Sequence, residues 1–262
     1  MIAPLCRYEA VARDMLAAAR PLARQHFRTP LAVERKSDLS PVTLADRAIE
    51  RAMKEVLEEA CPGHGILGEE FGTSQAEARH LWVLDPIDGT KSFIAGVPLF
   101  GTLIALLENG QPILGAIDMP LLGETWIGKS GGETRLNGTA CQVSARTELA
   151  GATLFATSPD QFTAAERPHF EALSAACLAR RFGGDCYSYG LLASGHVDLI
   201  LEAELQPYDY MALVPVIEGA GGVITDWSGA PLTLASTGQV LAAATPALHR
   251  AALAVIGAQG QG

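Results

Sequence analysis

Trp82-Val83-Leu84-Asp85-Pro86-Ile87-Asp88-Gly89-Thr90 is an apolar run that breaks abruptly into two carboxylates, two residues with special backbones and a hydroxyl. The run reads as a buried strand, and the loop it enters carries the chemistry of a site. Asp85 and Asp88 offer hard oxygen ligands, Pro86 fixes one dihedral between them, and Gly89 lets the main chain come close to an anion. Thr90 places a hydroxyl beside that anion. The grouping suits a metal ion and a phosphate. Asp-Pro and Asp-Gly are also ordinary turn pairs, so the rest of the chain has to decide.

Upstream, Ile66-Leu67-Gly68 is a second short apolar run that delivers acids, Glu69 and Glu70, at its end. Before it, Thr43 is placed to cap a helix whose apolar face is Ile49, Met53, Val56 and Leu57 and which stops at Cys61-Pro62-Gly63. Asp46 then lies in its first turn, where the helix dipole alone favours a carboxylate. Leu5, Tyr8, Ala12, Met15, Leu16, Ala19, Leu22 and Ala23 predict an earlier amphipathic helix with a kink at Pro21. Downstream, Glu108-Asn109-Gly110-Gln111 predicts a hairpin and Asn137-Gly138 another tight turn. The first half thus reads as helices plus antiparallel sheet.

From about Gly151 helix and strand alternate: strand Thr153 to Thr157, helix around Phe170 to Leu178, strand Val197 to Glu202, helix near Asp209, strands Gly222 to Thr225 and Val240 to Ala244, and a last helix from Pro246. Residues 1–145 are expected to form an α+β part and residues 146–262 an α/β part of one compact body. No internal repeat or linker interrupts them.

The 262 residues suffice to bury a core without disulfides, and 48% hydrophobic with 18% charged residues fits a globular protein. No window approaches the roughly 20 apolar residues of a membrane span. Arg7, Glu9, Arg13 and Asp14 interrupt any secretion signal, so the expected location is the cytoplasm. Five scattered cysteines form no CxxC pair, and the six histidines lack metal-ligand spacing, which leaves carboxylates and therefore magnesium as the expected chemistry. A formal charge of -10 argues against nucleic acid as a partner.

The stretch Asp85 to Phe93, with Gly68-Glu69-Glu70, Pro41-Val42-Thr43-Leu44-Ala45-Asp46 and Pro207-Tyr208-Asp209, resembles the inositol monophosphatase family, and the likeness runs along nearly the whole chain. It implies layered αβαβα architecture, a homodimer, and a phosphomonoesterase in which water activated by magnesium is the nucleophile. By the same resemblance Glu69, Asp85, Asp88, Asp209 and the carbonyl of Ile87 hold Mg2+, while Asp46 accepts a hydrogen bond from Thr90 and the two position the water. Gly89 and Thr90 would meet the phosphate. Glu70 would support the ligands from behind or remain a solvated acid; Lys36 would neutralise charge near the site or simply be exposed. The family's second signature opens with Trp-Asp and a small residue, whereas Tyr208-Asp209-Tyr210-Met211 stands here, which bears on the substrate side.

Arg181-Phe182-Gly183-Gly184-Asp185-Cys186-Tyr187 with Glu202 resembles the histidinol-phosphate phosphatase branch. That likeness implies L-histidinol phosphate as substrate, bound by Gly183, Gly184, Asp185 and Glu202, and a place in histidine synthesis. Two acids suit an ammonium and an imidazole, although they would also bind hydroxyls. Glu204 and Asp198 read as exposed acids. The alternatives are an inositol-1-phosphatase, a nucleotide 3′-phosphatase, and a regulatory binding protein that keeps the fold without the chemistry.

Overall fold

The computed structural model describes residues 3–29, 33–35 and 41–258, with residues 3–4, 33–35 and 41–43 as backbone alone, so Lys36 and the capping side chain of Thr43 lie outside the described residues. The chain runs α1 (Ala3–His26), β1 (Val33–Arg35), β2 (Pro41–Thr43), α2 (Leu44–Ala60), β3 (Gly65–Gly68), β4 (Gly72–Ser74), β5 (His80–Asp88) and α3 (Thr90–Ile94). There follow β6 (Gly101–Glu108), β7 (Gln111–Met119), β8 (Glu124–Lys129), β9 (Arg135–Leu136) and β10 (Thr139–Ala140). Then come β11 (Thr153–Ala156), α4 (Arg167–Ala176), β12 (Ala179–Phe182), α5 (Asp185–Ala193), β13 (Leu199–Glu202), α6 (Pro207–Tyr210), α7 (Leu213–Gly219), β14 (Val223–Thr225), β15 (Val240–Ala243) and α8 (Pro246–Ala258).

Two sheets organise these elements, one of eight strands in the order β10-β9-β8-β7-β6-β5-β3-β4 and one of five in the order β12-β11-β13-β15-β14. Alternate residues of one strand feed different cores. In β5, Trp82 and Leu84 join α1 and α2, whereas Leu81 and Val83 face the layer of α5 and α7. In β13 and β15, Ile200, Val240 and Ala242 face that same middle layer, while Leu199, Leu201, Leu241 and Ala243 pack on α4 and α8. The result is five layers, αβαβα. Strands covered on both faces explain why these segments are apolar throughout rather than alternating.

The expectation of a purely antiparallel first sheet is corrected, because β3 pairs with β5 in parallel, Ile66 opposite Trp82. The pairing spans a connection through β4, and no local turn signal announces it. The predicted Glu108–Gln111 hairpin forms with Asn109 and Gly110 at φ 51° and 78°, the left-handed pair that a two-residue turn requires. Helix α1 continues through Pro21 to His26. The strand β12 was not foreseen; its residues are exposed at the sheet edge. Asp198, expected at the surface, is buried and accepts hydrogen bonds from Ser144 Oγ at 2.5 Å and the Thr153 amide at 2.9 Å, tying the crossing segment to the second sheet. No helix among the described residues is long and apolar enough to cross a membrane.

Candidate active site

Asp85 and Asp88 are three residues apart, a spacing that puts side chains on opposite faces of a regular strand. The structure resolves the conflict with a bulge. Against β6, Asp85 pairs with Leu103 and the ladder resumes only at Asp88 opposite Gly101, so three steps on β5 meet two on β6. Pro86, with no N–H to give, sits inside that bulge, and its carbonyl takes the Thr102 hydroxyl at 2.8 Å. The extra residue restores the parity. Carboxylate oxygens of Asp85, Asp88 and Asp209 consequently lie within 4.8 Å of one another.

Asp209 arrives from the other end of the chain on α6. A capping box fixes it there, its Oδ2 accepting the Gln206 amide at 2.6 Å. Of the departures from the family signature, Tyr210 and Met211 are buried in the middle core and Tyr208 is partly buried against it, and Tyr210 Oη donates to the carbonyl of Thr233 at 2.8 Å. A second group, Asp46, Glu69 and Glu70, also comes within 4.8 Å, and Glu69 hydrogen-bonds Asp85, which joins the two groups. Of the four carboxylates expected to meet, Asp85, Asp88 and Asp209 share one group, and Glu69 falls in the other with Asp46 and Glu70.

Burial and mutual repulsion shape their ionisation. Burial raises Asp85 well above the ordinary carboxylate range, with Glu69, Asp88 and Asp209 adding to the rise. Burial, then Asp185, lifts Asp88 to about 7 against the opposing Cys186 amide. Asp209 rises through burial and the charge of Asp88. Asp85 Oδ1 is buried without a hydrogen-bond partner among the described residues. Crowded oxygen donors that repel one another, one of them unsatisfied, are what a hard divalent cation would relieve. No thiolate or imidazole belongs to either group, which fits Mg2+ rather than zinc.

Thr90 opens α3 behind Gly89, whose φ of 83° is left-handed and whose Cβ, if added, would stand 3.0 Å from Asp185 Oδ2. The Thr90 hydroxyl donates to the Ile87 carbonyl at 3.1 Å, where the sequence reading set its proton on Asp46. A threonine at a helix start bonds readily to a carbonyl three residues back, and this local geometry prevails. Its lone pairs stay available to accept a hydrogen bond from water.

Gly183 and Gly184 form the turn into α5, and Asp185 follows in a left-handed conformation, φ 43°. Ser92 Oγ donates to Asp185 Oδ2 at 2.9 Å. Burial raises Asp185, and the Ser92 bond and Lys91 oppose that rise. Glu202, at the end of β13, is fully buried; burial pushes it to about 8 even though Thr157 and Gln161 donate to it. Its Oε1 accepts the Thr157 amide at 2.8 Å and hydroxyl at 3.0 Å, and its Oε2 accepts Gln161 Nε2. The sequence reading missed Thr157, Gln161 and Ser92, which no local motif marks. It also missed Tyr189, a buried phenol in the field of Glu202, Asp88 and Asp209, whose hydroxyl has no hydrogen-bond partner among the described residues.

A cavity of about 640 Å³ is lined by Tyr8, Glu108, Lys129, Glu133 and Arg135 and shares none of these residues. Its charges are already paired, Lys129 with Glu9, Arg135 with Glu133 and Glu108 with Arg79.

The sequence pattern of the inositol monophosphatase family matches residues 6–261. The Arabidopsis thaliana protein named bifunctional phosphatase IMPL2, chloroplastic, is 45% identical over 258 residues, which span 95% of this chain and 75% of that one. A histidinol-phosphatase of Chlorobaculum parvum is 35% identical over 249 residues, 94% of this chain and 95% of its own. Among solved structures, an inositol monophosphatase from Zymomonas mobilis superposes with a TM-score of 0.88 at 44% identity, covering 95% of this chain and 96% of that one.

Proposed function

Because the chain belongs to the inositol monophosphatase family of phosphatases, we propose that it is a magnesium-dependent phosphomonoesterase that takes L-histidinol phosphate, releasing L-histidinol and phosphate. The observation that carries the substrate is the buried pair Asp185 and Glu202, close enough that the charge of Asp185 acts on Glu202, with Asp185 also acting on Asp88. A cation is the natural occupant of such a place. An ammonium brought between them would draw both carboxyls back toward ionisation and gain charge-assisted hydrogen bonds. Inositol, with hydroxyls alone, would leave the repulsion standing.

In this reading Glu69, Asp85, Asp88, Asp209 and the Ile87 carbonyl would hold magnesium, which when bound supplies positive charge for the phosphoryl oxygens and acidifies water. Thr90 Oγ1, donating its own proton to the Ile87 carbonyl, accepts a hydrogen bond from the attacking water and aims it, and Asp46, a carboxylate in the first turn of α2, takes up the proton that water releases. Gly89, without a Cβ, lets the phosphate approach the backbone at the start of α3. Glu70 stays off the cation and holds the Arg47 guanidinium, 3.7 Å away. Residues 1–145 and 146–262 act as two parts of one body with the site between them. A homodimer is part of the proposal, supported by the exposed Leu178, just before the edge strand β12, and Phe182, its last residue.

The test is a panel of L-histidinol phosphate, myo-inositol 1-phosphate and 3′-phosphoadenosine 5′-phosphate, each with and without Mg2+. The proposal expects kcat/KM for histidinol phosphate to exceed the others by about tenfold or more, the worth of one well-placed ion pair. An equal or larger value for inositol phosphate would defeat the substrate assignment. No release from any ester by folded protein would favour a binding role.

A further inference from the structure

We infer that Glu50 is a positioning residue that fixes the loop carrying Glu69 before any cation arrives; the inference rests on reading the acidic groups as the metal site. Glu50 lies on α2 one turn after Asp46, hence on the same face, between the core residues Ile49 and Met53. It is fully buried, an expensive place for a carboxylate. Its recorded hydrogen-bond partners among the described residues are two main-chain amides: Oε2 accepts the N–H of Glu70 at 2.7 Å and Oε1 that of Phe71 at 3.2 Å.

The preceding amide, that of Glu69, donates to the carbonyl of Leu84 at 3.2 Å, immediately before Asp85. Three successive amides are thereby pinned, one to the strand that presents Asp85 and two to Glu50. The backbone from which the Glu69 side chain springs is thus held beside the end of β5, where Glu69 interacts with Asp85. Gly68 makes room for the arrangement: a Cβ there would stand 1.9 Å from Glu50 Oε1 and 2.5 Å from Cδ. On the outer face of α2, Arg51 and Lys54 lie over the Phe71 ring at 5.7 and 5.1 Å, so the helix grips the loop from both sides.

A merely structural tie would hold β4, an exposed edge strand, and would leave cation affinity untouched. A positioning role predicts otherwise. Groups that orient metal ligands change affinity by about 10–100-fold when altered. Glu50→Gln keeps the shape and one acceptor but loses the anion and the second acceptor, and Glu50→Asp keeps the charge but shortens the reach.

The experiment has two arms. In metal-free wild-type protein, amide hydrogen exchange at Glu70 and Phe71 should already be strongly protected and change little when Mg2+ is added; exchange at open-loop rates until Mg2+ arrives would overturn the inference. In the second arm, calorimetric titration with Mg2+ should show both Glu50 variants weakened by about tenfold, with a matching shift in the Mg2+ needed for half-maximal phosphate release and an unchanged far-UV spectrum. Glu58→Gln, which removes an exposed acid of the same helix, should bind Mg2+ as wild type does. Wild-type affinity in folded Glu50→Gln sinks the inference alone, whereas no Mg2+ binding by wild type sinks the metal reading and the inference with it. Should the variants fail to fold, the exchange arm decides.

Discussion

The backbone amide of Cys186 donates a 2.6 Å hydrogen bond to Oδ2 of Asp88. The first turn of α5, which precedes β13 of the five-stranded sheet, thus grips a carboxylate presented by the eight-stranded sheet. The grip opposes the burial that otherwise raises Asp88, and it sets Asp88 and Asp185 side by side. The proposed cation cage and the proposed specificity pocket would therefore share a wall.

Asp88→Asn keeps the shape and removes the charge. Magnesium-dependent turnover should fall by at least about 10²-fold, measured as phosphate release at saturating substrate. Chelation should likewise abolish wild-type turnover and added Mg2+ restore it. Near-normal activity in the variant would defeat the ligand assignment.

Thr90→Ala separates chemistry from binding. Loss of the hydroxyl that aims the attacking water should lower kcat by about 10²-fold, while half-saturation by Mg2+ moves little. A change confined to Mg2+ affinity would contradict the role given to Thr90.

Asp185→Asn is a clean probe of specificity, since asparagine tolerates the left-handed backbone and can still accept from Ser92. KM for L-histidinol phosphate should rise by about tenfold or more with little change for inositol 1-phosphate. Equal losses on both substrates would remove the ammonium from the pocket.

Asp88 stands at about 7 and Glu202 at about 8 in the fold, against 3.8 and 4.5 as ordinary values. A carboxyl raised on folding contributes stability that is complete below its unfolded pKa and lost as pH rises through its folded one. Without divalent cations, Tm should therefore fall between about pH 5 and pH 8.5. Mg2+ should flatten that fall, because it favours ionised Asp88. Thermal scans across this range, with and without Mg2+, check both statements; a flat metal-free profile would refute the first.

Arg20→Ala tests the fold away from the site. Arg20 hydrogen-bonds Asp118, which is 1% exposed, and also Thr125, clamping α1 to β7 and β8. Removing it strands a buried anion. Arg20 is about a third exposed, which moderates the cost to about 2–3 kcal/mol. Tm should drop by about 5–10 °C with kcat unchanged; an unshifted Tm would mean that Thr125 satisfies Asp118 unaided.

The legible parts of the sequence were local. Asp85 to Thr90 announced themselves because strand, bulge-forming proline, acids and glycine are contiguous, and Asn109-Gly110 encodes its turn directly. Parity between Asp85 and Asp88 was hidden, since it depends on how β6 pairs across the bulge. Glu50 looked like one more charge in Glu50-Arg51-Ala52-Met53-Lys54; its spacing of four from Asp46 was the one signal available. Asp198 and Gln161 take their meaning from partners far along the chain, Ser144 and Glu202, and no single-sequence periodicity reports those pairings.

The late arrival of Asp209 and of the Cys186 amide has a consequence during synthesis. A ribosome that has released only the eight-stranded sheet has made a fragment with Asp85 and Asp88 but without the clasp that completes the cage. On the proposed function, a nascent or prematurely terminated chain would hold an incomplete cage, and hydrolysis would begin only once the residues proposed to choose the target are also in place.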